Sequence, residues 1–267
     1  MSAILNPESK GVALVTGAAQ GIGHAIALRL AADGFDVALN DIASKAALLE
    51  GLKGEIMKTG RAASVFCGDV SVDAEVKAMV EGTVEILGGL DVMIANAGVC
   101  RPRVSLIDVD VAEWDDTFAI NVRGIFLCYK YAGKQMLAQG RGGRIIGACS
   151  DAGKQAQPGL PDYSASKFAI RGLTQAAALE FGKHGITVNA YAPGAVITPM
   201  TAALAELWAP AAGISVEALT AAHAKQSAIG KNQTPEDIAA LVSFLASKES
   251  AFITGQSVSA DGGRYFG

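Results

Sequence analysis

The sequence lacks the charge and the long apolar runs that nucleic-acid or membrane binding requires. Only 18% of its 267 residues are charged, the formal net charge is −4, and the basic residues form no cluster. Nucleic-acid binding depends on such clusters, so we do not expect it. The chain also has no uninterrupted apolar run of about 18 residues, the length that a membrane-spanning helix needs. We therefore expect no nucleic-acid partner and no membrane.

Cysteine is scarce and is spaced unfavourably for cross-links or metals. The four cysteines are Cys67, Cys100, Cys128 and Cys149, none in a C-x-x-C motif and none next to a histidine. This pattern predicts reduced thiols, with no disulfide framework and no bound metal. The first ten residues, MSAILNPESK, lack the basic and apolar segments of a secretory leader, and RYFG near the end matches no lipidation signal. We expect a cytoplasmic protein.

Strand-like and helix-like segments alternate along most of the chain. Apolar runs typical of buried strands cover residues 12–15, 36–39, 62–66, 91–94, 144–148, 186–191 and 257–259. Helical patterns cover residues 25–30, 43–58, 76–87, 111–137 and 165–181, and another begins at 234–236. Such alternation predicts an α/β fold. We expect one Rossmann-like, doubly wound domain over residues 1–267, with about seven parallel strands, helices on both faces and a helical substrate lid over about 199–231.

A glycine-rich stretch, LVTGAAQGIG at residues 14–23, follows the first predicted strand and opens the first helix. Glycines at this position let the main chain approach an anion at a helix N-terminus, where unpaired N–H groups favour phosphate. The spacing G-x-x-x-G-x-G differs from the usual dinucleotide fingerprint, and the alternative is a plain strand-to-helix turn. Asp41 ends the second strand, where a carboxylate can accept hydrogen bonds from ribose hydroxyls and repel a 2′-phosphate. The pattern favours NAD, while Lys45 keeps NADP as an option.

A second group of polar residues follows the fifth strand. Tyr163 and Lys167 lie four residues apart, so on a helix both side chains share one face. A nearby ammonium can lower the pKa of a tyrosine and make it a usable acid or base. Ser150 closes the fifth strand and can hydrogen-bond a substrate oxygen. A structural tyrosine–lysine pair is the alternative interpretation.

Taken together, these residues resemble the classical short-chain dehydrogenase/reductase family. The stretch TGAAQGIG matches the family's T-G-x-x-x-G-I-G motif. Further matches are Asp69 with Val70, ANAG at 95–98, INV at 120–122, the set Ser150, Tyr163 and Lys167, PGAVIT at 193–198 and DGG at 261–263. They cover essentially the whole chain in the family's order.

The resemblance implies a role for each matching residue. Tyr163 is expected to be the general acid/base, Ser150 to orient the substrate oxygen, and Lys167 to bind the nicotinamide ribose and lower the pKa of Tyr163. Asn121 is expected to hold a water of a proton relay. The implied cofactor-binding residues, besides Tyr163 and Lys167, are Gly17, Gln20, Gly21, Ile22, Gly23, Asp41, Asp69, Val70, Asn96, Gly98, Pro193, Gly194, Val196 and Thr198. The family also implies a homotetramer.

Details of the chain look similar to the diacetyl/acetoin reductase and 2,3-butanediol dehydrogenase branch, but the substrate stays open. The pocket is expected to include Ser150, Asp151, Gln157, Tyr163 and Trp208. Asp151 and Gln157 stand where that branch often carries Gln and Asn, so a bulkier cyclic or terpenoid alcohol fits as well as a diol or hydroxyketone. We therefore predict an NAD-dependent oxidoreductase that interconverts a secondary alcohol and a ketone. The alternatives are a 3-oxoacyl-carrier-protein type of reductase and a non-catalytic NAD-binding sensor.

Overall fold

Seven parallel strands form the centre of the computed structural model, which describes residues 9–101 and 105–266. The strands are β1 Val12–Thr16, β2 Asp36–Asp41, β3 Ala63–Cys67, β4 Val92–Ala95, β5 Gly143–Ala148, β6 Ile186–Pro193 and β7 Ser257–Ala260. Their order across the sheet is β3-β2-β1-β4-β5-β6-β7. The predicted doubly wound α/β fold is confirmed. The expectation that the first ten residues form no secretory leader concerns mainly residues 1–8, and these lie outside the described residues.

Helices cover both faces of this sheet. They are α1 Gly21–Ala32, α2 Ala46–Lys58, α3 Asp73–Leu87, α4 Val111–Phe118, α5 Ile125–Gln139, α6 Pro161–Phe181, α7 Pro199–Ala211, α8 Val216–Lys225 and α9 Pro235–Ala246. Apolar residues of α3, α5 and α6 pack in one core, and those of α1, α2 and α9 pack in the other. Because both faces are covered, the strands read as continuous apolar runs rather than as alternating patterns.

The direction of winding reverses between β1 and β4. The chain builds β1, β2 and β3 outward in one direction and then returns to pair β4 with the other edge of β1. At such a switch point the connections diverge beyond the carboxyl ends of the strands and leave a crevice. The fold therefore places its main crevice between the loops that follow β1 and β4.

The pattern over residues 111–137 predicts a long helix, and the structure is helical from Val111 to Gln139, with one change of helical geometry. A π-helical segment, Ala119–Gly124, separates α4 from α5. Within it Asn121 is fully buried and its amide group makes hydrogen bonds of 2.8 Å to both the N–H and the carbonyl of Val99. A widened turn of this kind admits one extra residue, which a 3.6-residue periodicity does not reveal.

Helix α6 also begins earlier than predicted. Helix α6 starts at Pro161 instead of residue 165, and proline suits the first turn because its missing N–H needs no partner there. Tyr163 consequently lies in the first turn of α6, and Lys167 lies one turn later on the same side.

The predicted lid region contains the two helices α7 and α8. Thr198 caps α7 by accepting from the N–H of Thr201. Within residues 9–101 and 105–266, no single helix is long and apolar enough to cross a membrane; α7 and α8 pass that test only as a pair, which is bent by 108°.

The close packing of the glycine loop generates a stability prediction. A Cβ at position 23 would stand 2.2 Å from the carbonyl oxygen of Gly17, so Gly23→Ala should destabilise the fold by about 1–3 kcal/mol. Gly54 in α2 has no atom within 4 Å of such a Cβ. Gly54→Ala should therefore stabilise the protein, by about 0.5–1 kcal/mol. Chemical denaturation measures both, and equal effects of the two substitutions would contradict the packing described.

Candidate active site

A cleft of about 490 Å³ opens at the carboxyl ends of the central strands. Most of the predicted cofactor-binding residues line it, namely Gly17, Gln20, Gly21, Ile22, Gly23, Asp41, Asp69, Val70, Asn96, Gly98, Tyr163, Lys167, Pro193 and Thr198. These residues come from loops far apart in the sequence, and the sheet brings them together because its parallel strands end at one edge. The lining residues run from Asp41 at the end of β2 to Tyr163 in the first turn of α6, so the cleft has two distinct ends.

The middle of the cleft is the glycine loop. Gly17 and Gly21 have φ angles of +64° and +58°, the left-handed region that favours glycine. Gln20 precedes α1 without capping it through its side chain, whose oxygen instead accepts from Lys45 Nζ at 3.2 Å. The first turn of α1 also contains no acidic residue. An anion is therefore the ligand that this helix N-terminus fits.

Asp41 stands at the far end of the cleft. Its Oδ2 accepts from the N–H of Ala19 at 3.1 Å and its Oδ1 from the N–H of Ile42 at 2.9 Å. These bonds fix the carboxylate beside the glycine loop, where it can still accept from a hydroxyl. Lys45 also lines this end of the cleft, so both charges that bear on cofactor choice are present.

Asn40, which the sequence did not single out, lies next to Asp41. Its amide nitrogen donates to the carbonyls of Phe66 and Gly68, both at 3.0 Å. Its Oδ1 is buried and has no hydrogen-bond partner in the described part of the chain. A buried acceptor without a partner is costly unless a ligand supplies the donor, and a nucleoside with its exocyclic and hydroxyl donors fits this position.

Tyr163 and Lys167 occupy the other end. Lys167 Nζ lies 5.3 Å from the centroid of the Tyr163 ring and donates to the carbonyl of Ala148 at 2.8 Å. Ser150 lies close enough to Tyr163 to act against the burial that raises the pKa of its phenol. The structure thus brings together Ser150, Tyr163 and Lys167, three of the four predicted catalytic residues.

Burial dominates the electrostatics of this pair. It raises the pKa of Tyr163 well above its usual value. Burial also lowers the pKa of Lys167 to about 8, because an ammonium loses hydration there and has a carbonyl as its hydrogen-bond acceptor. The lowering of the pKa of Tyr163 by Lys167 stays a prediction.

Asn121 lies behind the catalytic pair rather than in the cleft wall. Its amide is bonded to the backbone of Val99 and to Ser166 Oγ at 3.2 Å. A Cβ on Gly98 would stand 3.1 Å from Asn121 Oδ1 and 3.6 Å from Lys167 Nζ. The asparagine therefore holds the loop after β4 close to the lysine, and its role in a water relay stays a prediction.

Several predicted residues are not part of the cleft wall. The N–H of Gly194 donates to Ala260 O and to Gln233 Oε1, and Val196 is buried and bridges to Gln233. These two residues hold the loop that carries Thr198. Gln157 lies before α6, where its N–H donates to Ser164 Oγ, and Trp208 lies half-buried on α7. The substrate-pocket roles of Gln157 and Trp208 stay predictions.

Sequence reasoning missed several residues that line the cleft, three of them inside strands (Asn40, Ala148 and Tyr191) and the rest in loops or helices. Besides Asn40, the missed lining residues are Ile42, Gly68, Ala97, Val99, Ile120, Ala148, Cys149, Tyr191, Pro199 and Met200. Tyr191 donates from its phenol to Asn96 Oδ1 at 2.7 Å. For Asn40 and Tyr191 the sequence did offer a signal, which is a polar residue within an otherwise apolar strand. Such a residue indicates a functional position, because its polar group needs a buried partner.

Metal ligands are not grouped in the described residues. Across residues 9–101 and 105–266 no three of the histidine, cysteine, aspartate and glutamate side chains lie close enough together to hold an ion.

Comparison with known proteins places this geometry in context. A family model described as Enoyl-(Acyl carrier protein) reductase matches residues 17–264. A short-chain dehydrogenase/reductase of Hericium erinaceus is 54% identical over 259 residues, which are 96% of this chain and 98% of that protein. The L-2,3-butanediol dehydrogenase of Corynebacterium glutamicum is 40% identical, covering 96% of this chain and 98% of that protein.

Other similar proteins have different names. A 3-oxoacyl-[acyl-carrier-protein] reductase of Staphylococcus aureus is 40% identical, covering 95% of this chain and 97% of that protein. The crystal structure of levodione reductase superposes with a TM-score of 0.89 at 32% identity, covering 95% of this chain and 97% of that one. The likeness thus spans nearly the full length in every case.

The buried lysine generates a prediction about pH and stability. In the unfolded chain a lysine titrates near 10.4, whereas folded Lys167 titrates at about 8, so between these values the unfolded state binds more protons. Lys167 should therefore make the protein more stable as pH rises from 8 to 10, by on the order of 2 kcal/mol.

Denaturation at pH 8 and pH 10 tests this expectation. Lys167→Met should remove the rise, while Lys77→Met, at an exposed lysine of α3, should leave it in place. Identical pH dependence of the wild type and Lys167→Met would show that the buried ammonium is not destabilised as described.

Proposed function

The chain belongs to the short-chain dehydrogenase/reductase family, and on that premise we propose that it is an NAD(H)-dependent oxidoreductase interconverting a secondary alcohol and a ketone. One observation carries this proposal: Tyr163 and Lys167 line one end of a cleft, with Ser150 beside Tyr163, and Asp41 lines the other end. Tyr163, Lys167 and Ser150 suit proton transfer at a substrate oxygen. The carboxylate suits a ribose with a free 2′-hydroxyl.

Each residue of the site would have a role that follows from its position. The bound nicotinamide would supply or accept the hydride. Tyr163 holds the proton that the substrate oxygen gains in reduction and takes it back in oxidation. Because burial favours the protonated phenol, the tyrosine is poised as an acid. Lys167 is close enough to act on charge that develops at the phenol, and Ser150, beside the phenol, would hydrogen-bond the substrate oxygen.

The substrate is proposed only as a class. Similar proteins are named for 2,3-butanediol, levodione and 3-oxoacyl carrier protein, and these names do not converge on one compound. We propose a diol or hydroxyketone, or a bulkier cyclic or terpenoid alcohol, beneath the helices α7 and α8. Met200 of α7 lines the cleft and gives this cover an apolar contact.

A carrier-protein reductase is the second candidate, favoured by the matched family and by the Staphylococcus aureus relative. Its support in the site is Lys45, which lines the cleft beside Asp41 and can bind a 2′-phosphate. A non-catalytic NAD-binding sensor has less support, because its site would not need Tyr163 and Lys167 in contact. The cytoplasmic location and the homotetramer stay predictions; exposed Phe168 and Leu179 on α6 support contacts between subunits.

Cofactor choice is directly testable. We expect NADH to bind at least about tenfold more tightly than NADPH, since a 2′-phosphate beside Asp41 costs at least ~1.4 kcal/mol. Asp41→Ser should reduce or invert the ratio, and Lys45→Gln should weaken NADPH alone. Cofactor fluorescence measures each dissociation constant. A wild-type preference for NADPH would favour the carrier-protein reductase.

Turnover tests the acid/base assignment. Tyr163→Phe should lower kcat by roughly 10²–10⁴-fold, because it removes the transferable proton. NADH affinity should change little. The assay is oxidation of 2,3-butanediol, cyclohexanol, a terpenol and a polyol with NAD, with acetoacetyl-coenzyme A and NADPH as the competing reaction. Retained activity in Tyr163→Phe would show that another group moves the proton.

A further inference from the structure

A row of buried hydrogen bonds joins two neighbouring helical segments on one face of the sheet. The segment from α4 through α5 connects β4 to β5, and α6 connects β5 to β6, so both segments run in the same direction. Three bonds cross from the first segment to α6. They are Thr117 Oγ1 to Asp162 Oδ2 at 2.8 Å, Asn121 Nδ2 to Ser166 Oγ at 3.2 Å, and Tyr129 Oη with Thr174 Oγ1 at 3.0 Å. All six side chains are buried, and we call these six residues the polar seam.

The three bonds of the polar seam share one register. In each bond the partner on α6 lies 45 residues further along the chain. The bonds therefore recur at residues 117, 121 and 129 on one side and at 162, 166 and 174 on the other. Ile125 and Ile170, both buried in the core on this face, occupy the same register between the second and third bonds. Residues four apart form a row along one side of a helix, and such rows are what neighbouring helices pack against each other.

The proposed catalytic pair follows the polar seam directly in sequence. Tyr163 comes after Asp162, and Lys167 comes after Ser166, whose Oγ donates to the carbonyl of Tyr163 at 2.7 Å. Successive residues of an α-helix differ in direction by about 100°, so the seam faces the neighbouring helix while the pair faces the cleft. Apolar packing is non-directional, whereas buried hydrogen bonds require one geometry. The polar seam therefore fixes the rotation of α6 about its axis.

Thr117 is the member of the polar seam that holds the first turn of α6. Its Oγ1 accepts from Arg101 Nη1 at 3.0 Å, which leaves its single hydrogen for Asp162. Arg101 lies in the loop after β4 and also pairs with Asp116. The other oxygen of Asp162, Oδ1, is buried and has no hydrogen-bond partner in the described part of the chain. The buried carboxylate next to Tyr163 therefore depends on the Thr117 hydroxyl.

We propose that Thr117 and Asp162 are positioning residues, which set the rotation of α6 through the polar seam and so aim Tyr163 at the substrate oxygen. The proposal rests on the proposed alcohol–ketone function. A misplacement of about 1 Å in a reacting group can cost on the order of 10²-fold in rate. The glycine loop and Asp41 lie elsewhere along the cleft, so the proton-transfer step should suffer more than cofactor binding when the seam is broken.

Thr117→Val tests this role, because valine keeps the shape of threonine and lacks its hydroxyl. Its kcat for alcohol oxidation should fall at least about tenfold, while the Kd for NADH should change less than about twofold. The solvent deuterium isotope effect on kcat should rise, since proton transfer becomes the slow step. Thr117→Ser restores the hydroxyl and should bring kcat back to within about twofold of the wild type.

Thr83→Val is the matched control. Thr83 is fully buried as well, but its hydroxyl donates to the carbonyl of Met79 at 2.8 Å within its own helix, α3. This variant should leave kcat and the isotope effect unchanged. An equal loss of kcat in Thr83→Val and Thr117→Val would overturn the proposal, because it would show a general effect of losing a buried hydroxyl.

A double variant tests whether Thr117 and Asp162 act through one bond. Asp162→Ala should lower kcat as Thr117→Val does, and the combination should lose no more than the more impaired single variant. Losses of kcat that multiply in the combination would overturn the proposal. If Thr117→Val does not fold, Tyr129→Phe, which removes only the third bond of the seam, should lower kcat by a smaller factor. Unchanged kcat in Tyr129→Phe would then overturn it.

A readout without substrate separates this proposal from the proposed function. Burial raises the pKa of Tyr163, and the charges of Cys100, Asp151 and Cys149 raise it further. A less firmly held α6 exposes the phenol, so Thr117→Val should ionise Tyr163 at lower pH than the wild type does. Tyrosinate absorbance, taken as the difference from the same protein carrying Tyr163→Phe, measures this shift.

The outcomes of the two measurements are distinct. If the wild type oxidises none of 2,3-butanediol, cyclohexanol, a terpenol and a polyol, the proposed function fails, while the titration of Tyr163 still decides the role of the polar seam. Unchanged titration of Tyr163 in Thr117→Val would overturn the positioning role whether or not a probe is turned over.

Discussion

The site depends on one side chain that ties together the ends of three strands. The amide nitrogen of Asn96 donates to the carbonyls of Thr16 at 2.8 Å and Gly17 at 3.1 Å, and its oxygen accepts from Tyr191 at 2.7 Å. The first two bonds hold the loop after β4 against the glycine loop after β1. The third ties both to β6. Both polar atoms of this partly buried side-chain amide are satisfied by these three bonds, so the crevice at the switch point has rigid walls.

That rigidity matters because the catalytic end of the cleft is electrostatically unfavourable. A lysine that is 3% exposed and a phenol among apolar groups both lose hydration when the chain folds. Burial disfavours the charged form of both groups, although with a pKa of about 8 Lys167 is still mostly protonated at neutral pH. The surrounding packing must supply the free energy that holds Lys167 Nζ 5.3 Å from the centroid of the Tyr163 ring. The protonation of both groups then responds strongly to the charge of a nearby ligand.

The sequence predicted the architecture well because its signals are local. Apolar strands, glycines after β1 and the four-residue spacing of Tyr163 and Lys167 can all be found without knowing any long-range contact. The parallel-sheet rule then gathered residues such as Asp41 and Asp69 into one cleft. Thr117 was missed because its partner Asp162 is far away in the sequence, and Asn40 because an inward polar residue in a buried strand has no periodic signature. The burial that raises the pKa of Tyr163 was not foreseen, because a sequence shows which charges are near a residue along a helix but not how deeply that residue is buried.

The π-helical segment Ala119–Gly124 restricts how this stretch of the gene can change. Loss of a single codon there would restore an ordinary α-helix and rotate everything after it by about 100° relative to everything before. The buried face of α5, which includes Leu127 and Ala132, would turn toward solvent, or Asn121 would leave Val99. A single residue of this stretch can be substituted more easily than the number of its residues can change. The widened turn therefore acts as a spacer, because the packing of α5 requires a fixed number of residues between α4 and α5.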